Sequence, residues 1–134
     1  MSENGGNNEE AIAERLRTCG AQLRMTRKGR VHTVDFRSAA ENFGPEPLES
    51  IRQLERVKEL HLLGPEVDDR TVAALASLPQ LETLDLEQTA VTDAALPHLS
   101  QMQQLKLLVL RGTSVSREAV AELRKQMIGT RIVT

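Results

Sequence analysis

The apolar positions of this chain follow a mixture of spacings that neither a helix nor a strand produces alone. Val57, Leu60 and Leu62 are separated by three residues and then by two, as are Leu81, Leu84 and Leu86, and Leu105, Leu108 and Leu110. The triplets start at Val57, Leu81 and Leu105, an equal step both times, and each is followed at one fixed offset by a valine: Val67, Val91 and Val115. An apolar series at spacing three comes next. It is Val72, Leu75 and Leu78 in one unit, Leu96, Leu99 and Met102 in the following one, and Val120 and Leu123 in the last, which then drifts to Gln126. A looser unit precedes these. Val31, Val34 and Phe36 form its triplet and Leu48, Ile51 and Leu54 its later series. Its start at Val31 lies further from Val57 than the common step, so two residues are inserted around "SAAENF". Ile132, one more such step beyond Leu108, marks a truncated fifth strand.

Each half of the pattern predicts one element. Alternation such as Leu84-x-Leu86 puts both leucines on one side of a short strand, and the spacing-three series puts its residues on one face of a helix. Asp68, Thr92 and Ser116 stand at equivalent turn positions, and all three residue types accept hydrogen bonds from the otherwise orphaned amides of a helix start. The first unit has Gly44 there with Pro45 next, a proline suited to a first helical position. Pro79 closes the second helix, and Pro97 predicts an irregular start for the third. No single unit can bury its leucines, so neighbours must stack and the ends need covers. "EEAIAERLRTCGA" supplies one: Ile12, Leu16 and Cys19 share a helical face, and Gly20 suits the helix end. Between "AQLRM" and "VHTVDF", the run "TRKGR" reads as a hairpin turn.

The segments "VKELHL", "LETLDLEQTAVTD" and "LKLLVLRGTSVS" together resemble the leucine-rich repeat family. They are most similar to its short bacterial type with Thr-x-Val-Thr-Asp turns, related to repeats of F-box adaptors. The resemblance covers residues 31–134 and implies an α/β fold. That fold is a right-handed α/β solenoid of about four repeats, with a parallel sheet on its concave face and helices on its convex face. The expected organisation is a disordered tail over 1–8, a capping helix and hairpin over 9–30, repeats over 31–56, 57–80, 81–104 and 105–128, and a final strand at 131–134. Where Thr89 and Thr113 stand, the family usually has Asn bridging the backbones of adjacent turns. A Thr hydroxyl does part of that and Pro65 and Ala39 none, so weaker bridging is expected in the first half of the stack.

Composition narrows the function. Hydrophobic residues make up 40% and charged residues 27% of 134, as in one water-soluble globular domain. The net charge of -2 provides no field toward DNA or a membrane surface. Phe36 and Phe43 are the only aromatics, which argues against a platform stacking single-stranded nucleic acid. Cys19 is the one cysteine, so neither an internal disulfide nor a cysteine-built zinc site forms. "MSENGGNNEE" lacks the apolar core of a signal peptide and no apolar run has the length of a membrane span. A cytoplasmic setting is the expectation.

In this register the residues alternating with the buried leucines form rows across the sheet. One is Thr33, Glu59, Thr83, Leu107 and Arg131; the central one is Asp35, His61, Asp85, Val109 and Val133; the third is Arg37, Leu63, Glu87 and Arg111. The face is polar toward the first units and partly apolar toward the last. Repeat proteins bind through such a surface, so the expected function is a non-enzymatic protein–protein interaction scaffold. Its partner-binding residues are His61, Leu63, Asp85, Glu87, Leu107, Val109 and Arg111. The alternative is a self-associating spacer or a subunit of a larger assembly. Asp35, His61 and Asp85 lie close enough for a metal or acid–base chemistry to be weighed, but a charge-paired histidine explains them equally. No nucleophile with a base and no phosphate-cradling glycine loop accompanies them, so no catalytic residue, metal ligand or cofactor is assigned. Residues 15–30 hold six cations and no acid, a candidate contact for nucleic acid or an acidic partner through phosphates, or an ordinary solvated cap and hairpin. Cys19 reads as a small buried hydrophobe.

Overall fold

The computed structural model describes residues 5–38 and 45–134, with side chains described over 9–38 and 47–134. Strands β1 (Gln22–Met25), β2 (Val31–Asp35), β3 (Glu59–His61), β4 (Thr83–Asp85), β5 (Leu107–Val109) and β6 (Arg131–Val133) form one sheet in chain order. β1 and β2 are antiparallel, and every later pair is parallel. Helices α1 (Gly5–Thr18), α2 (Pro45–Arg52), α3 (Asp69–Leu75), α4 (Leu96–Leu99) and α5 (Arg117–Gln126) accompany them. The central leucine of each triplet sets the register: Val34, Leu60, Leu84, Leu108 and Ile132 are successive partners. Leu60, Leu84 and Leu108 are fully buried. They share one core with Val72, Leu75, Leu99 and Leu123 of the helices. That packing leaves the other side of the sheet open.

Helix starts follow the cap residues. Asp68 accepts from the Arg70 and Thr71 amides, and the Thr71 hydroxyl accepts from the Asp68 amide in return, a reciprocal box that satisfies both ends of the turn. Thr92 and Ser116 cap the next two units. The third unit opens with a 3-10 turn, Asp93–Ala95, before α4. Pro97 sits in the first turn of α4, where its missing amide has no intrahelical partner to lose. Pro45 opens α2; Gly44 before it lies outside the described residues. α3 ends at Leu75, several residues before Pro79.

After β3, β4 and β5 the chain turns through left-handed backbone at one repeated position: Gly64 (φ 111), Gln88 (φ 57) and Gly112 (φ 77). Gly is strain-free there; Gln88 accepts a conformation that L-residues avoid. The Thr26–Arg30 turn closes the β1–β2 hairpin, with Gly29 at φ 78 and the Thr26 amide bonded to the Arg30 carbonyl at 2.8 Å.

Two expectations are corrected. α1 begins at Gly5, not at Glu9, so residues 5–8 are helical; residues 1–4 lie outside the described residues. Gly and Asn are poor helix formers. The α1 region is tied down by tertiary contact, since buried Glu9 accepts the Val31 amide at 2.7 Å. Thr89 and Thr113 do not bridge neighbouring turns either. Each hydroxyl donates to the carbonyl three residues earlier in its own turn, Leu86 at 2.8 Å and Leu110 at 2.7 Å. Pro65 has no hydroxyl to contribute, and Ala39 lies outside the described residues.

Two aspartates tie successive helix starts together. Asp69 at the start of α3 accepts the Thr92 amide at 2.7 Å and the Thr92 hydroxyl at 2.5 Å. Asp93 repeats the arrangement one unit later, accepting the Ser116 amide at 2.7 Å and hydroxyl at 2.8 Å. Each aspartate thereby holds the cap residue of the following helix. Those two bonds keep the Asp93 carboxyl below the usual carboxylate range, the amide bond being the larger cause.

Candidate functional site on the open face of the sheet

Strand pairing puts the rows side by side. Thr33, Glu59, Thr83, Leu107 and Arg131 are successive partners, as are Asp35, His61, Asp85, Val109 and Val133. Arg37, Leu63, Glu87 and Arg111 follow in the turns after the strands. Of the residues expected to bind a partner, Asp85 is buried, His61, Leu63, Glu87, Leu107 and Val109 are half-buried, and Arg111 is exposed.

The polar half is an interlocked charge cluster. Arg37 makes a two-pronged pair with Asp35, Nε to Oδ1 at 3.1 Å and an Nη to Oδ2 at 2.8 Å. Its other Nη lies 3.7 Å from Asp85 Oδ2. His61 Nδ1 donates to Asp85 Oδ2 at 3.1 Å, because a carboxylate can only accept, and Nε2 faces Glu59 at 3.7 Å. Asp35 and Asp85 use one further device, accepting the amide two residues on, Arg37 at 2.9 Å and Glu87 at 3.1 Å. This local turn, typical of Asp, fixes both carboxylates at the strand ends.

These contacts set the protonation states. The Asp35 carboxyl lies below the usual range, chiefly through the Arg37 hydrogen bonds. His61 is raised above an ordinary histidine, chiefly by its bond to Asp85, against the opposing effect of burial. For Asp85, burial is the largest single influence and acts upward. The bonds from His61 and the Glu87 amide, with the charges of His61 and Arg37, together outweigh it, and the net direction is down.

Asp35, His61 and Asp85 do come together, with Asp35 accepting from Arg37 and Asp85 accepting from His61 and the Glu87 amide. Among the described residues no group of three His, Cys, Asp or Glu side chains is arranged to hold a metal ion. The bridging role of Arg37 has no signature in the strand pattern, since the residue stands in a turn.

Beyond Asp85 the face becomes apolar. Leu107 and Val109 sit beside Thr83 and Asp85, and Glu87 pairs with Arg111 at 3.8 Å along the border. Among the described residues the most exposed large apolar side chain is not on this face: Ile128, 91% exposed, lies in the turn between α5 and β6. Cys19 is half-buried against the core. No helix among the described residues is long and apolar enough to cross a membrane.

No protein-family model matches the chain, and no curated protein matches it in sequence. Solved structures do match. A structure of the actin-binding site 2 of leiomodin-1 superposes with a TM-score of 0.62 at 16% identity, over 92% of this chain and 77% of that one. A leucine-rich repeat protein of Leptospira interrogans gives 0.50 at 20% identity, over 64% of this chain and 21% of the other. Mex67:Mtr2 subunits of Chaetomium give 0.52 at 20% identity, over 66% and 65%. The fold is leucine-rich-repeat-like. The likeness is one of fold, carried by the repeating strand, turn and helix.

Proposed function

We propose that this chain is a non-enzymatic protein-interaction module, a solenoid of about four short repeats whose concave sheet face contacts a partner protein. The observation that carries this reading is the two-part open face. Asp35, Arg37, His61 and Asp85 hold one another in place, and the half-buried Leu107 and Val109 lie directly beside them. Side chains already ordered in the free protein reduce the entropy lost on association. The apolar pair offers area to bury, and the charged border supplies orientation. Support also comes from the company the fold keeps: the leiomodin-1 segment is an actin-binding site, and Mex67 is found with Mtr2. Both are protein-contacting proteins on similar scaffolds; the partner here is set by this chain's own face.

The test is capture of partners from the native lysate by the wild type and by a Leu107→Asp, Val109→Asp double variant, with folding checked by circular dichroism. The wild type should retain partners that the double variant loses. Identical partner sets from two folded proteins would overturn the reading. A second copy of this chain recovered by the wild type alone would make the partner the chain itself.

A further inference from the structure

At the opposite ends of the strands from Arg37, Glu87 and Arg111, where the strands begin, lies a cleft of about 550 Å³. Five cations line it: Arg27, Lys28 and Arg30 from the hairpin turn, and Arg56 and Lys58 from the approach to β3. His32, Thr26 and Gln80 complete the lining, and no carboxylate is among its residues. The cations come from two stretches of chain with the whole of β2 and α2 between them, and only the fold brings them together. We propose that this cleft is a binding site for a compact ligand bearing several phosphate groups.

The chain as a whole is acidic, at -2, so a pocket with five cations and no acid is not a by-product of basic composition. Like charges gathered around one cavity repel, and a concave wall concentrates their field on whatever enters. Among the described residues, Arg27, Lys28, Arg30 and Arg56 have no carboxylate in ion-pair range. Lys58 has Glu82 at 4.0 Å, which Lys106 also approaches at 3.7 Å. The charge is therefore left for a ligand to neutralise. The donors suit phosphate: three guanidinium forks for two-pronged bonds and two ammonium point charges. The volume is that of a small-molecule site. The lining has no Phe, Tyr or Trp, the rings that stack a nucleobase best, which favours a ligand whose recognition rests on its phosphates.

Calorimetric titration with inorganic tripolyphosphate at low and at moderate salt tests this. Binding should weaken as salt rises, and an Arg27→Glu, Arg56→Glu pair should weaken it by about tenfold or more. Lys125→Glu, an equal kind of reversal on exposed α5, should leave it unchanged. Arg56→Gln gives a milder version, and thermal melts show that each variant is folded. Vesicles containing phosphatidylinositol bisphosphate separate the two sources of such a ligand. Vesicle binding displaced by tripolyphosphate indicates a lipid headgroup, and tripolyphosphate binding without vesicle binding indicates a free ligand. No tripolyphosphate binding, equal losses from the α5 control, or binding of single-stranded RNA that tripolyphosphate does not displace would overturn the proposal.

Discussion

Removing Asp69 should loosen the joint between the second and third units more than its place at a helix start suggests. Its two oxygens take the Thr92 amide at 2.7 Å and the Thr92 hydroxyl at 2.5 Å. A net hydrogen bond to a charged group contributes roughly 1.5–3 kcal/mol. Both residues are half-buried, so water recovers part of what is lost, and the lower end, about 1.5–2 kcal/mol, is taken for the two bonds together. An acid in a helix's first turn adds about 0.3–1 kcal/mol through the helix dipole. Asp69→Ala should therefore destabilise by about 2–3 kcal/mol, a large part of the roughly 5–15 kcal/mol typical of a domain. The dipole contribution belongs to α3 alone, so a double-mutant cycle with Thr92→Val separates it. Thr92→Val also deletes the cap to the Ala94 amide, and the cycle cancels that loss too. The chain has neither Trp nor Tyr, so urea unfolding is followed by far-ultraviolet circular dichroism rather than intrinsic fluorescence. A coupling of about 0.5 kcal/mol or more is expected. Strictly additive single losses would show that Asp69 acts only within its own helix.

Leu84→Ala, at a fully buried position in the middle of the sheet, should lose about 2–5 kcal/mol, whereas exposed Gln103→Ala should change stability by about 0.5 kcal/mol or less; equal losses in urea unfolding would contradict the register. The charge cluster predicts a pH window. His61 is raised in the folded state, so its contribution is complete below the unfolded histidine value of about 6.5 and is lost as pH rises through its higher folded value. Asp35 and Asp85 are lowered, so theirs is complete above the unfolded value of about 3.9 and is lost as pH falls through the folded values. The stability gap between wild type and His61→Gln should be widest between about pH 4 and 6.5 and narrow by about pH 9; a gap independent of pH would remove His61 from the cluster.

The sequence by itself determined the elements and their register. A three-then-two spacing repeated at equal steps from Val57 to Leu81 to Leu105 leaves one way to align β3, β4 and β5 with their leucines buried, since a shift by one residue would turn Leu84 to the opposite face. The caps Asp68, Thr92 and Ser116 and the turn around Gly29 were equally legible, because their bonds span two to four residues of chain. Tertiary structure alone decided which polar side chains meet. The Thr89 hydroxyl could turn toward its own carbonyl or a neighbour's, and in the folded chain it bonds its own Leu86 carbonyl. Asp69 and Asp93 read locally as first-turn acids, and only the offset between successive helices delivers them to Thr92 and Ser116. Arg37 reaches Asp85 across the width of a strand, and the hairpin cations meet Arg56 and Lys58 across a cleft that exists once the sheet has formed. Burial of leucines is a demand that chain-local periodicity encodes; the pairing of charges depends on distances set only when the units have stacked.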